Sequence, residues 1–279
     1  MAGINLRDYQ IDAVRNMKNG CVLCGDVGSG KSRTALAYYY KEQGGKLNTD
    51  TYFPMSYPRD LYIITTARKR DTLEWEGELA PFLITTRPYD GCMYPDLRVV
   101  VDSWNNIKKY KDVYGAFFIF DEDRVTGNGV WVTTFRAIAK RNEWIILSAT
   151  PGDTYMDYLP VFLANGFFKN KTEFIREHVV YDRYVKFPKV DRYLNTQRLE
   201  RLRNKILIDM DFKRHTERHH EDVYVSYDIS MYKDAIKNRW DPYKNEPILQ
   251  AAGLCYVLRK IVNSDDSRQV ALYELFEKH

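Results

Sequence analysis

The sequence lacks the features that would assign it to a membrane or to a secreted scaffold. None of its 279 residues lies in an apolar run approaching the roughly 18 residues of a membrane-spanning helix. The first residues contain no apolar segment typical of a secretory signal. There are also no internal repeats and no low-complexity linkers. We therefore expect a globular protein of the cytoplasm with no membrane partner.

Cysteine is scarce, with only four residues at irregular spacing. Cys21 and Cys24 form a Cys-x-x-Cys pair, which is typical of redox or metal sites. Both lie in a predicted strand, however, where residues three apart point to opposite faces. No second pair completes a zinc site, so we expect buried, reduced thiols.

Charge of one sign is not in large excess, since the formal net charge is only +4. Its distribution is uneven, because residues 169–218 contain 14 Lys and Arg against 8 Asp and Glu. Two interpretations remain open. The stretch is either a solvated helical face or a track for a phosphate backbone, whose binding would depend strongly on salt.

The first part of the chain alternates short apolar runs with segments of helical periodicity. This alternation is typical of a mostly parallel sheet covered by helices, so we predict an α/β fold over residues 1–165. In such sheets, ligands bind beyond the carboxyl ends of the strands. The predicted strands lie at residues 21–24, 61–65, 97–101, 116–120 and 144–147.

After about residue 165 the pattern becomes mostly helical, which predicts an α-rich segment over residues 166–265. The remaining residues, 266–279, contain one more helical pattern at 270–276, and we expect them to be either the start of a missing second lobe or a C-terminal tail. Within the α-rich segment we predict helices at 199–210, 230–238 and 250–262, and a short strand at 223–227.

Residues 25–32 read Gly-Asp-Val-Gly-Ser-Gly-Lys-Ser, a complete phosphate-binding loop pattern. The predicted strand before the loop and the predicted helix after it are the context in which this pattern binds nucleotide phosphates. Backbone N–H groups of the loop and of the helix N-terminus would surround the phosphates. Lys31 would contact the β- and γ-phosphates, and the Ser32 hydroxyl would ligate Mg²⁺.

Other candidate residues lie at the end of later predicted strands or before the loop. Asp121 and Glu122 follow an apolar strand, where they are either the carboxylates of an ATPase or a helix N-cap. Ser148 and Thr150 end the next strand and are either sensors of nucleotide state or a plain turn. Gln10 carries an amide that suits the adenine edge, and its alternative is a surface helix N-terminus.

Taken in chain order, these elements resemble the first motor lobe of the superfamily-two helicases and translocases. The closest resemblance is to the Snf-type DNA translocases, which include small phage-encoded members. It is specific over residues 5–165 and weaker, though in register, to about residue 265. The matching segments are 6–10 (Q-motif), 25–32 (motif I), 65–68 with Trp75 (motif Ia), 101–104 (motif Ib), 121–124 (motif II), 148–150 (motif III) and 258–263 (a Leu-Arg-Lys-Ile-x-Asn helix).

The resemblance implies a RecA-like fold, ATP and Mg²⁺ as cofactors, and a role for each matching residue. Lys31, Asp121 and Glu122 would be catalytic, Ser32 and Asp121 would hold the metal, and Ser148 and Thr150 would couple nucleotide to movement. Nucleic acid would be contacted by Thr66, Arg68, Ser103 and Trp104. Nucleotide would be bound by Arg7, Gln10, Gly28, Ser29, Gly30, Lys31 and Ser32.

The chain departs from the family in two places. Motif II continues as Asp123-Arg124, where common forms have Ala-Asp, Ala-His or Gly-His. The two acids to which the family assigns catalytic roles, Asp121 and Glu122, are present. The second RecA-like lobe, with its arginine fingers, does not fit into the residues after Asn263. We therefore expect the first half of a motor, completed by a second lobe in cis or in trans and slow on its own.

The expected function is that of an ATP-dependent DNA translocase or helicase, with double-stranded DNA as the favoured partner. If phage-encoded, it would act in the cytoplasm of the host cell. The alternative is an ATP-binding scaffold or sensor that does not hydrolyse ATP and is completed in trans by a partner. A GTP switch is disfavoured because the Asn-Lys-x-Asp guanine-recognition motif is missing.

Overall fold

The computed structural model describes residues 1–122, 125, 129–212 and 222–278. The chain forms two compact units, Met1–Lys213 and Arg214–His279. Asp123 and Arg124 of the motif II segment, and the last residues of the basic stretch 169–218, lie outside the described residues.

The helices and strands of the first unit follow in chain order, with two short 3₁₀ segments at Ala80–Phe82 and Trp104–Tyr110. They are α1 (Asp8–Asn16), β1 (Val22–Cys24), α2 (Lys31–Glu42), β2 (Leu61–Thr65), α3 (Ala67–Asp71), α4 (Glu74–Leu79), β3 (Val99–Ser103), β4 (Phe117–Asp121), α5 (Val130–Ala139), β5 (Glu143–Ser148), α6 (Leu159–Ala164), α7 (Lys171–His178), β6 (Val179–Tyr181), β7 (Val190–Tyr193), α8 (Thr196–Ile206) and β8 (Leu207–Asp209).

Six of these strands form one parallel sheet in the order β3-β2-β4-β5-β1-β8. The predicted α/β class with a parallel sheet flanked by helices is therefore confirmed. Because the strands are parallel, the carboxyl ends of β1, β4 and β5 meet at one edge. The phosphate-binding loop, the candidate acids and Ser148 all lie there.

The strands are apolar because the sheet is covered on both faces. One face packs against α1, α2 and α4, and its core includes Leu36, Tyr39 and Tyr40. The other face packs against α5 and α6. Cys21 belongs to the first core and Cys24 to the second, and both are buried free thiols, as predicted.

All five predicted strands are present, with bounds shifted by at most two residues. The prediction of one helix over 199–210 is wrong in its last turn. There α8 ends at Ile206, and residues Leu207–Asp209 form β8, which pairs in parallel with β1. The amphipathic pattern of α8 continues without a glycine or proline into β8, so no local signal separates the two elements.

The first unit extends well beyond residue 165, the expected end of the first lobe. An antiparallel hairpin of β6 and β7 follows α7, and β8 closes the edge of the main sheet. Buried residues of this extension, such as Phe174, Leu199 and Ile206, pack into the second core. The first unit therefore does not end near residue 165, where the sequence pattern changes.

The second unit contains α9 (Ile229–Asn238), a short antiparallel pair β9 (Trp240–Asp241) and β10 (Glu246–Pro247), α10 (Ala251–Asn263) and α11 (Ser267–Lys278). Its small core is formed by Ala235, Val257 and Ile261. The predicted helices are confirmed here, whereas the strand predicted at 223–227 is wrong, because these residues form no strand and pair with none of the described strands. Among the described residues of the chain, no helix is long and apolar enough to span a membrane.

Candidate nucleotide-binding site

The phosphate-binding loop joins β1 to α2, as the sequence predicts. Gly28 and Gly30 have φ values of +86° and +79°, in a region that side chains other than glycine rarely adopt. α2 begins at Lys31, so its first unpaired N–H groups face the end of the loop. Those donors and the positive end of the helix dipole favour a phosphate group at this position.

The side chain of Lys31 bonds to carbonyl groups of its own loop. Its Nζ donates to Gly25 O at 2.6 Å and to Asp26 O at 3.0 Å. Burial lowers the pKa of Lys31, and the nearby Asp121 carboxylate opposes this effect. The ammonium therefore lies at the loop, held by contacts that a phosphate could replace.

Asp121 ends the central strand β4, and its side chain is buried. Its Oδ2 accepts hydrogen bonds from Thr65 Oγ1 at 2.8 Å, Lys69 Nζ at 2.9 Å and Trp75 Nε1 at 3.2 Å. Within the described part of the chain, no group donates to Oδ1. The three donors therefore orient the carboxylate and leave one oxygen for a hydrated metal ion.

Glu122 is the first residue after β4 and has a φ of +58°, which is unusual for a residue with a side chain. Its Oε1 lies 3.2 Å from Lys69 Nζ. Burial alone would lower the pKa of Lys69, but the two carboxylates outweigh burial and raise it. One ammonium group thus bridges both candidate acids.

These groups line a single cavity of about 690 Å³, a volume within the range of small-ligand sites. Of the residues predicted from the sequence, eight line it: Gly28, Gly30, Lys31, Ser32, Asp121, Glu122, Ser148 and Thr150. Lys69 and Glu78 also line it, and sequence reasoning missed both. Their contacts join segments far apart in the chain, such as Lys69 with Asp121, so no local pattern predicts them.

The Q-motif segment contacts the phosphate-binding loop from the side. The Tyr9 hydroxyl donates to Ser29 O at 3.1 Å. Gln10 is buried, and its Oε1 accepts a hydrogen bond from Arg7 N at 3.1 Å. A Cβ built on Gly30 would lie only 2.6 Å from Gln10 Nε2. Gln10 and Arg7 do not line the cavity itself, although Gln10 lies beside Gly30, which does.

Ser29 packs against the protein interior behind the loop and does not line the cavity. Its side chain is fully buried, and its Oγ lies 3.9 Å from Met210 Sδ. Met210 in turn donates its N–H to Cys24 O at 2.9 Å, directly after β8. The strand that sequence analysis missed therefore helps to fix the back of the phosphate-binding loop.

The motif III segment is also tied to the loop. Ser148 Oγ accepts a hydrogen bond from Thr150 N at 3.2 Å, and Ser148 O accepts one from Gly25 N at 3.3 Å. Both side chains face the cavity that contains the acids. A shift of this segment would therefore move the start of the loop.

The residues expected to contact nucleic acid fall into two groups. Arg68 lies on α3 and is exposed. Thr66, the N-cap residue of α3, is half-buried. Ser103 and Trp104 are buried, and Trp104 Nε1 donates to Asp121 O at 2.9 Å. The structure thus places Trp104 beneath the candidate acid and not on the surface.

Asp102 anchors α3 to the motif Ib segment. Its carboxylate accepts hydrogen bonds from Ser103 N, Asn106 Nδ2 and Tyr110 OH, and from Arg70 Nη1 at 3.1 Å. Burial would raise the pKa of Asp102, but these donors outweigh it and hold the pKa below its usual range. The candidate nucleic-acid segments are therefore joined by a buried carboxylate.

The residues present fit a Mg²⁺–nucleotide complex. Gly28 leaves open space at the loop, Lys31 supplies a cation, and Asp121 Oδ1 accepts no hydrogen bond from the residues that the structure describes. Ser32 lines the same cavity from the first turn of α2. A carboxylate and a hydroxyl are ligands that Mg²⁺ commonly uses beside phosphates.

No known family model matches the sequence, and no curated protein sequence matches it. Solved structures do match. The SWI2/SNF2 ATPase core domain of Sulfolobus solfataricus matches with a TM-score of 0.52 and 16% identity, covering 93% of this chain and 56% of that chain. This likeness shows that the chain shares the fold of the matched part of that structure.

Two other helicase structures match with lower scores. They are the Hef helicase domain of Pyrococcus furiosus (TM-score 0.42, 16% identity, 63% of this chain and 41% of that one) and the UvsW helicase of bacteriophage T4 (TM-score 0.37, 16% identity, 56% and 57%). The chain spans about half the length of the structures it matches.

Proposed function

We propose that the chain binds ATP with Mg²⁺ and hydrolyses it as the first lobe of a DNA-dependent motor of the Snf-type, superfamily-two class. The observation that carries this proposal is the convergence of Lys31, Ser32, Asp121 and Glu122 on one cavity. These residues come from two segments that are far apart in the chain, the start of α2 and the end of β4. A phosphate-binding loop without the acids would suit binding alone, whereas the pair adds the groups that hydrolysis needs.

Each side chain has a definite role in this proposal. Lys31 exchanges its bonds to Gly25 O and Asp26 O for bonds to the β- and γ-phosphates. Ser32 and Asp121 Oδ1 hold Mg²⁺, which, when bound, would neutralise charge on the phosphates. Glu122 orients the attacking water and accepts its proton.

The remaining predicted residues would connect this chemistry to nucleotide choice and to movement. Gln10 and Arg7 would select adenine at the loop's flank. Ser148 and Thr150 would couple nucleotide state to the sheet edge, since Ser148 O already bonds to Gly25 N. Arg68 and Thr66 would contact the DNA backbone, with double-stranded DNA favoured and Ser103 and Trp104 supporting them from beneath.

We further propose that a second RecA-like lobe, in cis or in trans, completes the site. A cationic group of that lobe would stabilise charge on the transferring phosphoryl group, and such a residue is worth about 10³–10⁵ in rate. The chain alone should therefore bind ATP well and hydrolyse it slowly.

The direct test is steady-state ATP hydrolysis by the chain with no DNA, with single-stranded DNA and with double-stranded DNA. Lys31→Ala and Glu122→Gln serve as loss-of-function variants, and Lys140→Ala, at an exposed lysine after α5, serves as the matched control. Slow hydrolysis that both active-site variants abolish supports the ATPase. ATP binding that depends on Lys31 with no hydrolysis under any condition favours the scaffold instead. Fast DNA-stimulated turnover would contradict the need for a second lobe.

A further inference from the structure

We infer that the hairpin of β6 and β7 binds single-stranded DNA, with Tyr184 and Phe187 stacking on unpaired bases and the neighbouring cations contacting phosphates. This hairpin is separate from the nucleotide cavity and from the residues on α3 that the proposed function assigns to the DNA backbone. It lies within the basic stretch 169–218, for which the sequence alone leaves two interpretations open. The site goes beyond the proposed function, and its binding is measured without ATP.

The tip of the hairpin, residues 182–189, reads Asp-Arg-Tyr-Val-Lys-Phe-Pro-Lys. Two of its side chains are aromatic and exposed, Tyr184 at 98% and Phe187 at 75%. Single exposed apolar residues are common on protein surfaces and indicate nothing. Here, however, two rings three residues apart alternate with three cations. This combination of stacking rings and positive charge is typical of surfaces that bind single-stranded nucleic acid.

The positive charge of the tip is not matched by acids. Of the two acids in the hairpin, Asp182 accepts a hydrogen bond from Tyr184 N at 2.8 Å, and Asp191 pairs with Arg192 at 3.2 Å. Three exposed cations have no ion-pair partner among the residues that the structure describes: Arg183, Lys186 and Lys189. These cations are therefore available to phosphate groups, whose binding releases counterions.

The base of the hairpin is fixed, so the tip stands on a rigid support. Val179 of β6 is buried in the second core. On β7, the Tyr193 hydroxyl accepts a hydrogen bond from Met156 N at 3.3 Å. Asp182 N donates to Lys189 O at 2.9 Å and closes the tip. Because the backbone is already held, a ligand at the tip would order little more than the side chains themselves.

Unpaired bases suit this tip better than a duplex or a lipid surface does. An aromatic ring gains by covering the flat face of a base, and that face is accessible only where bases are unstacked. A duplex would contact the cations through its phosphates and would leave both rings in water. A membrane would need an apolar face without charge, whereas cations lie between these rings. A single strand alternates base and phosphate in the same way as the tip alternates ring and cation.

The test measures binding of a fluorescein-labelled single DNA strand of about 20 nucleotides, longer than common site sizes, by fluorescence anisotropy. A blunt duplex of the same sequence is the second ligand, and both are titrated over a range of salt concentrations. Tyr184→Ala and Phe187→Ala each remove one ring, whereas Tyr184→Phe and Phe187→Tyr keep it. Lys186→Gln/Lys189→Gln removes two charges. Tyr114→Ala, at a tyrosine of the same unit that is 83% exposed, is the matched control.

We expect each ring-removing variant to bind the single strand about fivefold or more weakly than wild type, because one base loses its stacking partner. Its duplex binding and its salt dependence should stay at the wild-type level. The ring-keeping variants and Tyr114→Ala should bind as wild type does. For Lys186→Gln/Lys189→Gln, the slope of log affinity against log salt should fall by about 1.4, since each phosphate contact of a single strand contributes about 0.7.

No binding of the single strand by wild type, or unchanged binding by both ring-removing variants, would overturn the inference. An equal loss in Tyr114→Ala, or an equal loss on the duplex, would do so as well, because neither is specific to stacking at the tip. Vesicles of phosphatidylcholine and phosphatidylserine in equal parts are titrated in parallel. Vesicle binding that needs the rings, with strand binding that does not, would assign the tip to a membrane instead. Failure of the proposed function gives a different result, namely ATP-analogue binding by Lys31→Ala that equals wild type.

Discussion

Trp75 Nε1 donates a hydrogen bond to Asp121 Oδ2 at 3.2 Å, joining α4 to the end of the central strand β4. Both side chains are almost completely buried, so water does not compete for this bond. The candidate metal ligand is therefore oriented by residues outside the phosphate-binding loop. Its exact position depends on how α4 packs against the sheet.

Trp75→Phe should keep most of the packing and remove the indole donor. We expect the free energy of unfolding to fall by about 1–3 kcal/mol because a buried hydrogen bond to a charged acceptor is lost. Hydrolysis should slow more than ATP binding weakens. Urea denaturation followed by circular dichroism measures the first effect, and Trp240→Phe, whose indole is partly exposed in the second unit, is the control. Equal losses in the two variants would contradict the role of this bond.

Asp102→Asn should destabilise the junction between α3 and the motif Ib segment. At pH 7 we expect a loss of about 1–3 kcal/mol in the free energy of unfolding, since bonds from Arg70 and its neighbours lose a charged acceptor. The folded-state pKa of Asp102 is lowered, so its contribution is fully present above the unfolded-state pKa of about 4. It is lost as the pH falls through the folded-state pKa.

The pH series makes this prediction specific. The difference in stability between wild type and Asp102→Asn should be constant from pH 7 to about pH 5 and should shrink at lower pH. Urea midpoints measured at each pH test it. A difference that stays constant down to pH 3 would show that the charge of Asp102 does not matter.

Gly30→Ala should impair nucleotide binding through a contact between the new Cβ and the side chain of Gln10. Alanine would pay the cost of a positive φ, about 1–2 kcal/mol, and its Cβ would meet Gln10 Nε2. Gly115→Ala is a matched control because its φ is +72° and a Cβ there would meet nothing within 4 Å. We expect Gly30→Ala to lose more stability than Gly115→Ala, because only the Cβ at position 30 meets a neighbouring side chain. Only Gly30→Ala should weaken binding of ATP relative to GTP, as a nucleotide competition assay would show.

The four thiols should differ sharply in reactivity. Burial raises the pKa of Cys21 to about 11, and Cys24 is buried on the other face of the sheet. Cys255 is exposed and Cys92 is half-buried. Alkylation at pH 8 followed by mass spectrometry should label Cys255 first, then Cys92, and the other two only after unfolding. Rapid labelling of Cys21 in the folded chain would contradict its burial in the first core.

The sequence predicts those parts of the site that depend on local chemistry. The phosphate-binding loop needs glycine at Gly28 and Gly30 because of their positive φ values, and that need is visible as a pattern. The acids at the end of β4 are likewise predictable, since an apolar run followed by carboxylates marks where a buried strand ends. The carboxyl edge of a parallel sheet then brings the loop and the acids together.

Other parts depend on contacts between distant segments and escape sequence reasoning. The three-residue strand β8 follows α8 without a turn signal, and only its pairing with β1 defines it. The bridge from Lys69 to the two acids spans about fifty residues of chain. Trp104 was expected to contact nucleic acid, yet its indole is buried and donates a hydrogen bond to Asp121 O, a contact between segments that no local pattern predicts.

The central claim, a Mg²⁺–ATP site built on Lys31 and the two acids, is tested most directly by equilibrium binding of a fluorescent ATP analogue. The titration compares wild type, Lys31→Ala and Lys140→Ala with and without Mg²⁺. We predict saturable, Mg²⁺-dependent binding by wild type and Lys140→Ala, and at least about a hundredfold weaker binding by Lys31→Ala because its charge-assisted phosphate contacts are lost. Equal binding by Lys31→Ala and wild type would contradict the account.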